Sequence, residues 1–226
     1  MKKLNAHFSD VSPAEAKKIQ LQLRDKIIQQ NDFKNVKTIA GVDVSFSTKS
    51  SNAVAGIVIL TYPEMGFVEK KVVKGRITFP YIPGLLAFRE GPLIEKLFQK
   101  LSRKPDITLF DGHGIAHPHG CGIASHLGVL LNISAIGCAK SKLTGEYDMP
   151  ADKRGAESNL LDKKGILIGK VLRSRAGCKP VFVSIGHKVD LITAVKITLQ
   201  SCLKFRIPEA IRQTHAFVNK VRLESL

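Results

Sequence analysis

Acidic residues are scarce in this chain: 19 Asp and Glu stand against 35 Lys and Arg, a formal net charge of +16 at pH 7. That deficit argues against cationic partners and for a polyanion, because phosphate backbones reward a basic surface through counterion release. Also missing is any apolar run long enough to cross a bilayer, and no apolar core follows the basic start Met1-Lys2-Lys3. Neither a membrane span nor a signal peptide is therefore expected. Cys121, Cys138, Cys178 and Cys202 contain no C-x-x-C pair. Their spacing suggests neither a disulfide framework nor a zinc ribbon, and a reducing cytoplasm is the expected setting. Internal repeats and low-complexity linkers are absent as well.

What remains is an ordinary globular composition, 226 residues with 44% hydrophobic, which fits one domain spanning residues 1–226. Ser12-Pro13-Ala14-Glu15 is a helix start with a capping box, predicting a helix to about Gln30. Three strand-like runs, 38–46, 53–61 and 68–79, predict a meander. A helical period follows over Leu85–Leu101, and Pro92 should kink or restart it beside Glu90. Strand and helix then alternate: strand 106–110, helix 121–131, strand 133–138. Next come a long polar excursion over 141–164, a hairpin of strands 165–172 and 180–185, and closing helices from about Asp190 and Pro208. Strands first and βαβ later predict an α/β fold, a mixed sheet with helices on its faces.

The few acids are oddly placed. Asp43 interrupts the apolar strand Thr38–Phe46 between Val42 and Val44, Asp111 closes the run Ile107–Phe110 before a glycine turn, and Glu90 lies on the helix between them. A buried carboxylate is costly unless paired or bound to metal. Salt bridges or caps would explain each acid singly; the three together suggest a divalent-metal site of the kind magnesium prefers. From Asp111 to Gly145 no further acid occurs, while Gly112, Gly114, Gly120, Gly122, Lys140 and Lys142 do. Such glycines allow close backbone approach and can leave helix-start N–H groups free for phosphate. Zinc held by His113, His117, His119, His126 and Cys121 is disfavoured by their spacing. His187 and Asp190 read as a helix cap.

Several long segments, in order, then carry a resemblance. They are Gly41–Phe46, Pro80–Glu90, Asp111–Pro118, Ala124–Gly128, Ala139–Leu143 and Gln213–Asn219, and together they resemble the endonuclease V family. The resemblance implies a ribonuclease H-like fold and metal-dependent nicking of DNA at the second phosphodiester 3′ to deoxyinosine, leaving 3′-hydroxyl and 5′-phosphate ends. Asp43 and Asp111 would be the metal ligands, with Glu90 completing the acidic set around Mg²⁺ (or Mn²⁺). His215 would place or deprotonate the attacking water, a task suited to imidazole. Lys140 would offset charge at the scissile phosphate. Pro80, Tyr81, Ile82 and Pro83 resemble the family's wedge, in which rigid prolines hold Tyr81 where a base has left. Gly112, Gly122, Ile123 and Leu143, with His117 in the same loop, would line the pocket for the flipped base. One departure concerns His119-Gly120-Cys121, where the family usually carries arginine and a bulkier residue.

Two other readings stay open on the sequence: an endoribonuclease for inosine-containing RNA, and a protein that binds nucleic acid without cutting it. A monomer is expected, since no exposed apolar helix demands a dimer. Downstream repair partners are implied but not named.

Overall fold

The computed structural model describes residues 5–8 and 11–225. Its frame is an eight-stranded mixed sheet in the order β3-β2-β1-β4-β5-β8-β7-β6. The predicted meander forms β1 (Thr38–Phe46), β2 (Asn52–Thr61) and β3 (Phe67–Arg76), all antiparallel neighbours. β4 (Ile107–Phe110) lies parallel to β1, and β5 (Ala135–Ala139) parallel to β4. Three antiparallel strands extend that edge: β6 (Glu157–Leu161), β7 (Leu167–Leu172) and β8 (Val181–His187). The 3-2-1-4-5 half, with its antiparallel meander and parallel returns, is the ribonuclease H-like arrangement.

Strand alternation divides the core between the two faces. Ala40, Val42, Val44 and Phe110 face one cluster, built with α3 (Leu86–Phe98) and α4 (Ile123–Leu131). Ile39, Ile107 and Leu109 face the other, built with α5 (Leu191–Ser201) and α6 (Glu209–Ser225). At the amino ends of β1 and β4, Asp106 accepts hydrogen bonds from the N–H groups of Lys37 and Thr38, both at 2.9 Å. That ties the two parallel strands in register before either reaches the site.

Gly41 fixes how closely α6 lies on β1. A Cβ there would come within 2.3 Å of the Ala210 carbonyl and 2.4 Å of the Ile211 nitrogen. The Thr214 hydroxyl donates to the Gly41 carbonyl at 2.9 Å, securing the same crossing. Because His215 follows Thr214, this bare backbone contact sets that histidine's reach.

Some elements depart from the sequence reading. A four-residue helix α1 (Asn5–Phe8) precedes α2 (Pro13–Arg24). The Ser12 capping box is present, a feature worth about 1 kcal/mol, but α2 ends at Arg24, not near Gln30. The chain is drawn off instead to β8's end, where Ile28 N donates to His187 Nδ1 at 3.2 Å and Lys188 N to Ile28 O at 2.7 Å. α3 runs through Pro92 as one element, so the proline, which lacks an N–H, costs a hydrogen bond without restarting the helix. The polar excursion contains β6, whose exposed, weakly apolar Glu157-Ser158-Asn159 gave no strand signal. Asp190 does cap α5, accepting from Thr193 N at 2.7 Å.

Candidate functional site

The parallel pairing of Val42 with Phe110 brings Asp43 and Asp111, one residue further on each, to the carboxyl ends of neighbouring strands. α3 carries Glu90 to this place from one face of the sheet and α6 carries His215 from the other. Each acid is held differently. Asp43 Oδ2 meets His215 Nδ1 at 2.6 Å, and Oδ1 accepts from Val44 N at 2.8 Å. Asp111 forms an ion pair with Lys140, which lies just past β5. Glu90 has no hydrogen-bond or ion-pair partner among the described residues.

The consequence is electrostatic. Desolvation raises the Asp43 carboxyl above its ordinary range; the His215 hydrogen bond opposes this, and the Asp111 charge adds to it. Glu90 is raised well above its usual value, first by desolvation and then by the charges of Asp43 and Asp111, with Arg89 opposing. Like charges gathered in a poorly hydrated place mark a functional site more often than a structural one. Among the described residues no group of three His, Cys, Asp or Glu side chains already forms a closed metal cage. Two of the acids are turned to His215 and to Lys140 instead.

His215 is half exposed, yet its tautomer is fixed by a hydrogen-bonded line. Arg222 Nε donates to Ser45 Oγ at 2.8 Å, and Ser45 Oγ donates to Asn219 Oδ1 at 2.7 Å. Asn219 Nδ2 in turn donates to His215 Nε2 at 3.0 Å. Nε2 is thereby an acceptor, so Nδ1 carries the proton donated to Asp43. Ser45 and Asn219 fall within the segments Gly41–Phe46 and Gln213–Asn219 that carry the resemblance, but no role was read for them, and Arg222 lies beyond those segments. The i, i+4 spacing of His215 and Asn219 on one helix is a further hint.

Beside the acids lies a cavity of about 360 Å³. Three stretches of chain line it: Tyr81 to Gly84, the glycine loop through Gly112, His113, Gly122 and Ile123, and Lys140 to Leu143. His117 lines it too, and Asp111 and Lys140 belong both to the cavity and to the acidic site. All the predicted pocket residues are thus brought together. Asp43, Glu90 and His215 lie outside the cavity. Tyr81 is 69% exposed, so it is not packed into the core. Pro80 is exposed and faces a separate groove with Arg89.

The glycine loop departs from expectation. Gly122 N donates to Gly114 O at 2.8 Å and Ala124 N to His113 O at 3.1 Å, so these helix-start groups are spent within the loop and are not open to phosphate. A Cβ at Gly114 would lie 1.9 Å from the Ile185 carbonyl, and one at Gly122 2.3 Å from that of His113. These glycines serve close packing of backbone on backbone. Inside the cavity wall, His113 Nδ1 is buried without a hydrogen-bond partner among the described residues, while Nε2 meets Ser141 O at 3.0 Å. An unpaired buried acceptor or donor is costly in the absence of a ligand.

This sheet order, with acids gathered at the carboxyl ends of its parallel strands, defines a nuclease of the ribonuclease H-like class. The profile of the Endonuclease V family matches residues 21–216. The endonuclease V of Roseiflexus sp. (strain RS-1) is 43% identical over 212 residues, covering 94% of each chain. The crystal structure of the Streptomyces avermitilis endonuclease V superposes with a TM-score of 0.90 at 37% identity, covering 95% of each chain. A third relative, from Ciona intestinalis, was solved in complex with a 24mer DNA containing an inosine followed by a ribo-adenosine. It shares 35% identity at a TM-score of 0.83, covering 93% of this chain and 98% of its own. The chain belongs to the endonuclease V family and is an endonuclease.

Proposed function

We propose that this protein nicks DNA at the second phosphodiester 3′ to deoxyinosine, with a divalent metal, and so opens repair of deaminated adenine. The observation that supports this reading is the shared border of cavity and acidic site. A base held in the cavity leaves its own strand running past Asp111 and Lys140. The bound inosine DNA of the Ciona relative supports the same substrate. The protein would act as a monomer in the cytoplasm.

Asp43, Glu90 and Asp111 suit a hard cation such as Mg²⁺, with Mn²⁺ as a substitute. They are oxygen donors, two of them have raised pKa values, and Glu90 is without a partner among the described residues. Bound there, such an ion would neutralise phosphate charge and make water more acidic.

The chain's own groups have separate tasks. His215 Nε2, the unprotonated ring nitrogen, exchanges its Asn219 partner for the water that attacks the phosphorus in line and takes up its proton, while Asp43 holds Nδ1–H. Lys140, half exposed and drawn to Asp111, presents its ammonium to the phosphate and offsets charge that grows during displacement. Tyr81, held by its flanking prolines, fills the gap left in the base stack. Gly112, Gly122 and Ile123 line the space for the flipped base.

The ribo-adenosine next to inosine in the Ciona complex keeps inosine-containing RNA as a second substrate. A panel of end-labelled strands tests the choice: inosine in DNA, in RNA, and in DNA with one ribonucleotide 3′ to the lesion. Preferential nicking of the all-DNA strand supports the proposal. A strong preference for ribose at the cut site would move the assignment to RNA.

A further inference from the structure

Gln20 is an amide on α2, fully buried although it has a polar side chain. Its Nε2 donates to the Gly84 carbonyl at 2.7 Å and to the Cys121 carbonyl at 3.0 Å. Its Oε1 meets His119 Nδ1 at 3.0 Å. Both amide protons and the amide oxygen are therefore used. The two carbonyls lie 64 and 101 residues away from Gln20 in sequence. Gly84 ends the wedge segment of the cavity's lining, and Cys121 directly precedes Gly122 and Ile123, which line it from the glycine loop.

The histidines reinforce this link. His119 N donates to His117 Nδ1 at 3.1 Å, so His117 is neutral there and its Nε2 donates to Gly84 O at 2.9 Å. The Gly84 carbonyl thus receives two donors. Gly84 itself has φ +86°, and a Cβ would stand 3.2 Å from His117 Nε2, so only glycine suits the place. A buried amide that spends both its protons on carbonyls of two separate loops is a brace.

We propose that Gln20 is a positioning residue that holds the wedge loop and the glycine loop at a fixed separation, and so sets the cavity's fit to its base. The inference rests on the reading of that cavity as the base pocket. Gln20 touches no substrate; it acts through Gly84 and Cys121.

The test compares wild type with Gln20→Met, which keeps volume and removes the donors, and with Gln20→Glu, which keeps shape but, ionised, offers the two carbonyls no donor. Hydrogen exchange is measured first, without substrate. Residues 82–86 and 120–124 should exchange faster together in both variants, with residues 39–46 unchanged. Nicking is then measured on strands carrying deoxyinosine, deoxyuridine or no lesion, as ratios of kcat/KM. Selectivity for deoxyinosine should fall about 10- to 100-fold, whereas a lower folded fraction would slow all substrates equally and leave the ratio intact. If Gln20→Met fails to fold, Gln20→Glu carries the comparison. Unchanged exchange in both segments, or an unchanged ratio, overturns the brace. Failure of wild type to cut deoxyinosine overturns the pocket reading instead, and the exchange result still decides whether Gln20 joins the loops.

Discussion

His215 Nδ1 and Asp43 Oδ2 are 2.6 Å apart although 172 residues separate them in sequence. The contact joins the last helix to the first strand, and it exists because Gly41 lets α6 rest on bare strand backbone. Any side chain at that glycine must push the helix, and His215 with it, away from the acids. Gly41→Ala should destabilise the fold by about 1–3 kcal/mol and lower the nicking rate beyond the loss of folded protein. Thermal unfolding, with single-turnover rates corrected for active fraction, separates the two effects.

The line Arg222–Ser45–Asn219–His215 makes a graded prediction. His215→Ala removes the proton acceptor and should lower kcat by about 10²- to 10⁴-fold. Asn219→Ala leaves the imidazole but frees its tautomer, so kcat should fall less, by about tenfold, with KM for DNA little changed. Equal losses in the two variants would show that Asn219 does more than orient the ring.

Glu90 sets function against stability. Its carboxyl is raised well above the usual value by burial and by Asp43 and Asp111. The folded state thus holds this proton more tightly than the unfolded chain does. The stability linked to it is fully present below the ordinary carboxylate pKa and is lost as pH rises through the folded value. In metal-free protein at neutral pH, Glu90→Gln should therefore raise Tm by a few degrees, roughly 2–4 °C per kcal/mol for a chain of this size. The same variant should be strongly impaired in nicking. A drop in Tm at neutral pH would contradict the electrostatic reading of this site.

How much of this was legible beforehand depended on the kind of signal. Asp43 showed itself because a charge between valines in a strand has no local reason. The meander showed itself through its β-branched runs. Gln20 did not, because a glutamine on an amphipathic helix reads as a solvent-facing residue until the tertiary contacts with Gly84 and Cys121 are known. β6 was hidden for a related reason: Glu157-Ser158-Asn159 takes its strand form from pairing with β7, not from its own propensity. The early end of α2 was equally invisible, since the pull of Lys188 and His187 on Ile28 is a long-range one. The glycines near Asp111 were noticed, but their use in packing loop on strand could not be told from a use in ligand approach.

His117 gives the pH dependence of the pocket wall. Burial lowers its pKa from 6.5 to about 4, with the charge of His119 adding to the effect. The unfolded chain takes up a proton on this side chain near 6.5 while the folded one resists until about 4. The associated stability is present above the first value and is lost as pH falls to the second, up to about 3 kcal/mol. His117→Gln, which can still donate to Gly84, should unfold less steeply with acid across that window. Urea unfolding at a series of pH values measures the difference, and parallel curves for the two proteins would remove His117 from the acid response.

The most direct measurement is nick mapping on an end-labelled duplex with one deoxyinosine, in Mg²⁺ and in EDTA, using wild type and Asp43→Ala. One metal-dependent cut at the second phosphodiester 3′ to the lesion, absent in the variant, is the predicted result. Binding of the duplex without a cut under Mg²⁺ and Mn²⁺, or equal cutting by Asp43→Ala, would contradict the assignment of the acids at the ends of β1 and β4 as the nicking site.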